Sequence, residues 1–149
     1  MGIAKGDFLE CKKLAQSFLA TAEWCVGDGF NDVLKNKYPL IVNAAFSCEA
    51  FMKAIMIYDS DKGEFSTGHN LKMLFGELDS NVRNWITQKF SEKFASMTVD
   101  QLLEYEQNDF EKWRYAFENR KSKLTSNALG LINFARSLNE YVSALEVTE

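Results

Sequence analysis

Proline is nearly absent: the 149-residue chain has one, Pro39, and only eight glycines. A turn-rich sandwich or barrel uses many more of both, so the composition favours long uninterrupted helices. Histidine is as scarce. His69 is the single imidazole, and no Cys-x-x-Cys or His-x-x-x-His spacing occurs. A metal centre is therefore not expected. Cys11, Cys25 and Cys48 are odd in number and each sits inside an apolar pattern, so they read as three reduced core thiols rather than a disulfide set. A basic excess is missing too. Seventeen Lys and Arg against twenty-one Asp and Glu leave a net charge of −4, which argues against bulk non-specific nucleic-acid binding but not against a local basic patch. There is no Gly-rich phosphate loop and no Gly-x-Ser-x-Gly element, and no cofactor is expected. The opening MGIAKGDF turns polar before a signal-peptide core forms, and the longest apolar run contains Asn43, Glu49 and Lys53. Neither a secretory signal nor a membrane span is expected, which makes the cytoplasm the expected location.

What the chain does have is helical periodicity. Pro39 to Tyr58, PLIVNAAFSCEAFMKAIMIY, is apolar on nearly every side, the mark of a helix wrapped by neighbours; Pro39 suits its first turn. Glu49 and Lys53, four apart, are expected to mark its one wet strip. A first helix is expected over about Asp7–Val26, with Phe8, Cys11, Ala15, Phe18, Ala22 and Cys25 stepping by 3, 4, 3, 4, 3 and with Leu14 and Leu19 widening the stripe. Gly27-Asp28-Gly29 breaks it, and Phe30–Lys37 is a connection with room for one helical turn. A short helix capped by Thr67 or Asn70 runs to about Leu78, and another follows Asp79-Ser80 over about Asn81–Ala95. Thr98 with Gln101 is a capping-box signature for a helix running past Phe117, with a bend near Asn108-Asp109. The last helix spans about Ser126–Glu146 and repeats the 3, 4, 3, 4, 3 seam of the first. These elements make one domain over residues 1–149, an all-α, antiparallel bundle of four long helices plus one or two short ones. The first and last helices are expected to cover the central one.

Three places could carry chemistry. Asp59–Gly68, DSDKGEFSTG, opens like a calcium loop. An EF-hand beginning there would need Gly at its sixth place and Glu at its twelfth, which hold Glu64 and Asn70, so calcium is rejected. His69 can act as an acid or base near neutral pH, or serve as a hydrogen-bonding residue at the loop-to-helix junction. Asp109–Lys123, DFEKWRYAFENRKSK, is locally basic: Lys112, Arg114, Arg120, Lys121 and Lys123 stand against few acids. Arg114 lies at the edge of the apolar face between Phe110 and Phe117, where an unpaired guanidinium is costly. It needs either Glu118, one turn on, or a bound anion, which suits the planar Arg fork.

Three stretches, EAFMKAIMIYD at the end of the central run, GHNLKMLF at 68–75 and FEKWRYAFE at 110–118, together resemble the HEPN domains of prokaryotic toxin–antitoxin and defence systems. The resemblance implies a helical bundle that commonly forms a homodimer. Ribonuclease members carry an Arg, four to six residues, then a His, and the motifs of two protomers meet at the dimer interface. Arg114 matches the arginine, but the expected histidine places hold Asn119, Arg120 and Lys121, none a general base at neutral pH. The resemblance thus implies a stand-alone HEPN-like protein lacking the usual ribonuclease motif. It would bind a nucleotide, an RNA or a partner protein such as a cognate antitoxin through Arg114, Tyr115, Glu118, Asn119, Arg120, Lys121 and Lys123. Two alternatives stay open: a divergent metal-independent ribonuclease using Arg114 and His69 from two chains, and a structural interaction module in which Arg114–Glu118 only holds the fold.

Overall fold

The structure is a computed structural model that describes residues 2–114 and 127–147. The described residues form eight helices and no strand: α1 (Gly2–Val26), α2 (Phe30–Lys35), α3 (Lys37–Asp59), α4 (Leu71–Gly76), α5 (Ser80–Lys93), α6 (Val99–Glu106), α7 (Asp109–Arg114) and α8 (Ala128–Ser143).

The apolar run becomes α3, and the others assemble around it. Leu40, Ile41, Ala44, Phe51, Met52, Ala54 and Ile55 are fully or almost fully buried, so no side of its middle faces water. Although α3 has the length and apolarity of a membrane span, 72% of its most apolar stretch is buried inside the bundle. Such burial is what a core helix needs. The α1 seam packs on it antiparallel: Cys11 Sγ donates to the Ala50 carbonyl at 3.2 Å, and Ser47 Oγ to the Ala15 carbonyl at 2.8 Å. Alanines on both helices, Ala15 and Ala22 against Ala44 and Ala45, are buried and let the two come close. The last helix, α8, is antiparallel to α1, with Gln16 donating to Asn139 at 3.0 Å and Arg136 near Glu23 at 3.4 Å. Against α3 it runs in the same direction, since Cys48 meets Leu131 and Tyr58 meets the Glu146 carbonyl. The crossover through α4–α7 makes this parallel return possible.

Local chemistry sets the helix limits. Gly27 closes α1 at φ 58°, and a Cβ there would lie 2.4 Å from Asp32 Oδ2. That is left-handed backbone and a close approach, both suited to glycine alone. Asn70, not Thr67, caps α4, its side chain accepting from Met73 N–H at 2.9 Å. Asp79 caps α5, and Thr98 with Gln101 forms the full capping box of α6.

Three expectations are corrected. The helix expected from Thr98 past Phe117 is two helices, because a turn at Gln107-Asn108 separates α6 from α7. Leu14 does not widen the α1 stripe; it is 45% exposed, on the side away from α3. Glu49 and Lys53 are not a wet strip of α3: their side chains are only 5% and 12% exposed. Val42, Phe46 and Met56 share their stripe and are half-buried, and the loop before α4 folds back over it, with Phe65 on Lys53 and His69 on Glu49.

Candidate functional site

The strongest concentration of polar chemistry lies where the loop before α4 crosses α3. Glu49 points into this crossing and is 3% exposed. A carboxylate so desolvated requires cationic or hydrogen-bonding partners. It has two. Lys53 Nζ donates to Oε2 at 3.1 Å from one turn further along α3. His69 Nδ1 lies 3.1 Å from both carboxylate oxygens. A carboxylate only accepts, so Nδ1 carries the hydrogen, which fixes the ring's tautomer and turns Nε2 to the edge away from Glu49. The His69 side chain is 52% exposed, so the network runs from the core to the surface. Phe65 covers Lys53, its ring centroid 5.9 Å from the ammonium. Cys11 borders the group. Burial pushes its thiol up to about 11, with Lys53 pulling the other way and Glu49 adding to the rise. It is therefore no thiolate nucleophile near neutral pH.

The next residue ties this cluster to a second one. Asn70 Nδ2 donates to Gln107 Oε1 and Asn108 Oδ1, both at 3.1 Å, and Leu71 N–H donates to the Gln107 carbonyl at 2.9 Å. On either side of that turn lie Glu106 and Asp109, 1% and 0% exposed. Glu106 Oε1 accepts from Asn127 N–H at 2.6 Å, next to the start of α8. Lys112 Nζ lies 3.3 Å from Asp109 Oδ1. Burial first, then the hydrogen bond to Glu106 and its charge, push Asp109 up to about 9, with Lys112 opposing. Two carboxyls this close and this dry cannot both ionise. The pair therefore keeps one proton at neutral pH. Burial first, and then the charge of Asp109 once ionised, raise the Cys48 thiol far above its usual range.

Of the residues the sequence singles out, His69 sits in this network and Arg114 ends α7. Tyr115, Glu118, Asn119, Arg120, Lys121 and Lys123 lie outside the described residues, and so does the Arg114–Glu118 pairing. Helix α7 runs along α3 toward its start, where the Trp113 ring packs 5.5 Å from that of Tyr38 and Lys37 lies 5.7 Å from the Trp113 ring. The Glu49–His69 contact is further along α3 by roughly 16 Å of helix axis at 1.5 Å per residue. Within one chain the fold therefore puts the backbone of Arg114 and His69 at different levels of the bundle. Sequence reasoning missed the Glu49–His69 contact and the Glu106–Asp109 pair. The second had a signal: Leu102, Glu106, Asp109 and Trp113 step by 4, 3, 4 along an inward face, so two acids occupy core positions. Among the described residues no three His, Cys, Asp or Glu side chains are grouped to hold a metal ion. No family model, curated protein or solved structure matches the chain.

Proposed function

We propose that the chain is a HEPN-like helical domain that binds the phosphates of a nucleotide or a short RNA, as a homodimer, without cleaving them. The observation that carries this reading is the separation along α3 of the α7 end that bears Arg114 from the Glu49–His69 contact. Ribonuclease chemistry needs a phosphate-stabilising cation and an acid–base group within hydrogen-bond reach of one scissile bond. One chain offers those two residue types at different levels, while Arg114 opens the basic run that continues to Lys123. Guanidinium and ammonium groups in series suit a phosphate chain.

A second reading, a metal-independent ribonuclease, has its own observation: a buried carboxylate orients His69, the usual support for a catalytic imidazole. It requires His69 of one protomer to reach Arg114 of another. Incubating the purified protein with end-labelled single-stranded RNA at several salt concentrations separates the two. Saturable binding that weakens with salt, falls about ten-fold in Arg114→Ala/Lys121→Ala/Lys123→Ala and leaves the RNA intact supports the binding domain. Cleavage that disappears in both Arg114→Ala and His69→Ala establishes the ribonuclease instead, and neither binding nor cleavage overturns both readings.

A further inference from the structure

A cleft of about 550 Å³ opens at the other end of α3, lined by Asp59, Asp79, Asn81, Val82, Trp85 and Tyr141. From Tyr38, where α7 packs, it is displaced by roughly 30 Å of helix axis. Its chemistry is the reverse of the basic run after Arg114. Asp59 is the last residue of α3 and Tyr141 lies in the last turn of α8, so two long helices direct their negative ends toward it, while α5 brings its positive start there, capped by Asp79. Asp79 stands at the start of α5, where its side chain accepts from Asn81 N–H at 3.0 Å. Neither aspartate has an ion-pair partner among the described residues. Partial burial and the charge of Asp79 both raise Asp59 above its usual range, the sign of two acids repelling each other across the opening. The wall is aromatic: Trp85 and Tyr141 pack edge to face with centroids 5.4 Å apart. Trp85 already accepts a cation within the protein, as the Lys89 ammonium lies 5.5 Å from its ring centroid.

We infer that this cleft binds a small organic cation of the alkylammonium class, its charge between Asp59 and Asp79 and its methyl or methylene groups on Trp85 and Tyr141. Carboxylates alone would take any cation, and an aromatic wall alone any apolar group. Together they favour a large, weakly hydrated cation over potassium.

The test uses the full chain in potassium chloride, titrated with choline and, separately, with its neutral isostere 3,3-dimethylbutan-1-ol. The readout is the Trp85 indole resonance, assigned by its loss in Trp85→Phe. Choline is expected to give a saturable shift with a dissociation constant in the millimolar range, and the alcohol none. Asp59→Asn/Asp79→Asn is expected to bind choline about ten-fold more weakly. Asparagine is as good a helix cap as aspartate, so α5 keeps its start in this variant. An equal response to the alcohol, no saturation with choline, or undiminished choline binding by the double asparagine variant overturns the proposal. If the double variant fails to fold, the comparison of choline with the alcohol on the unaltered chain still decides.

Discussion

Glu49 and Asp109 face the same problem, a carboxyl group taken almost wholly out of water, and the bundle solves it in opposite ways. Glu49 is given two basic partners, Lys53 and His69, each at 3.1 Å. Asp109 is given a second acid, Glu106, with Lys112 at 3.3 Å as its only ion-pair partner among the described residues. The first solution keeps the charge and neutralises it with neighbours; the second removes the charge with a proton. The difference follows from position. Glu49 lies under a loop that can bring a polar residue, His69, down onto α3, whereas Glu106 and Asp109 flank one tight turn and are held together by the chain itself.

The comparison breaks most sharply at Glu49. Replacing Glu49 with Ala strands Lys53, only 12% exposed, without its counter-charge. Removing one partner of a buried pair costs about 3–5 kcal/mol. Urea denaturation of Glu49→Ala is expected to show a loss in that range, and a loss below about 1 kcal/mol would mean that Lys53 turns out to water at little cost.

Asp109 answers to pH instead. Its folded pKa, about 9, lies above the unfolded carboxylate value near 4, so the folded state holds the proton more tightly. Its contribution is fully present below about 4 and is lost as pH rises through about 9. Other carboxylates act in the opposite direction, so the informative quantity is the difference between the unaltered chain and Asp109→Asn, which keeps the shape and never ionises. The variant's stability relative to the unaltered chain is expected to improve by about 4 kcal/mol from about pH 5 to about pH 8, about 1.4 kcal/mol per pH unit. A difference that stays flat with pH would show that Asp109 is ionised and satisfied by Lys112.

Much of the bundle was legible before the structure. The single proline, the all-round apolar run, the seams of α1 and α8 and the Thr98–Gln101 capping box all report local or face-level physics, which a sequence displays directly. Leu14 was misplaced because a stripe one residue too wide still looks periodic, whereas Leu19, the other residue expected to widen it, is 4% exposed. Glu49 was misplaced for a deeper reason. A charged pair four apart on a helix has the same pattern whether it faces water or a loop, and only the path of residues 60–70 decides. The Glu106–Asp109 pair did have a signal, since Leu102 and Trp113, at helical spacing on the same face, are 0% and 3% exposed. Arg114 and the basic residues after it could be read from the sequence as chemistry but not as geometry.

The smallest effect belongs to His69, and it tests which cation holds Glu49. The His69 side chain is 52% exposed and that of Lys53 12%, so water already attenuates the contact of His69 with the carboxylate far more than that of Lys53. His69→Phe keeps a planar ring at the junction and removes the donor, while Glu49 retains Lys53 and Asn70 retains its cap of α4. A loss of about 1 kcal/mol is expected in urea denaturation, the scale of one hydrogen bond to a charged group discounted for exposure. Lys53→Met, which leaves Glu49 to His69 alone, is expected to lose at least about twice as much. If the order is reversed, His69 is the principal partner of Glu49. The buried carboxylate then exists to position the imidazole rather than to neutralise the lysine, which would shift the functional balance from phosphate binding toward the two-chain ribonuclease.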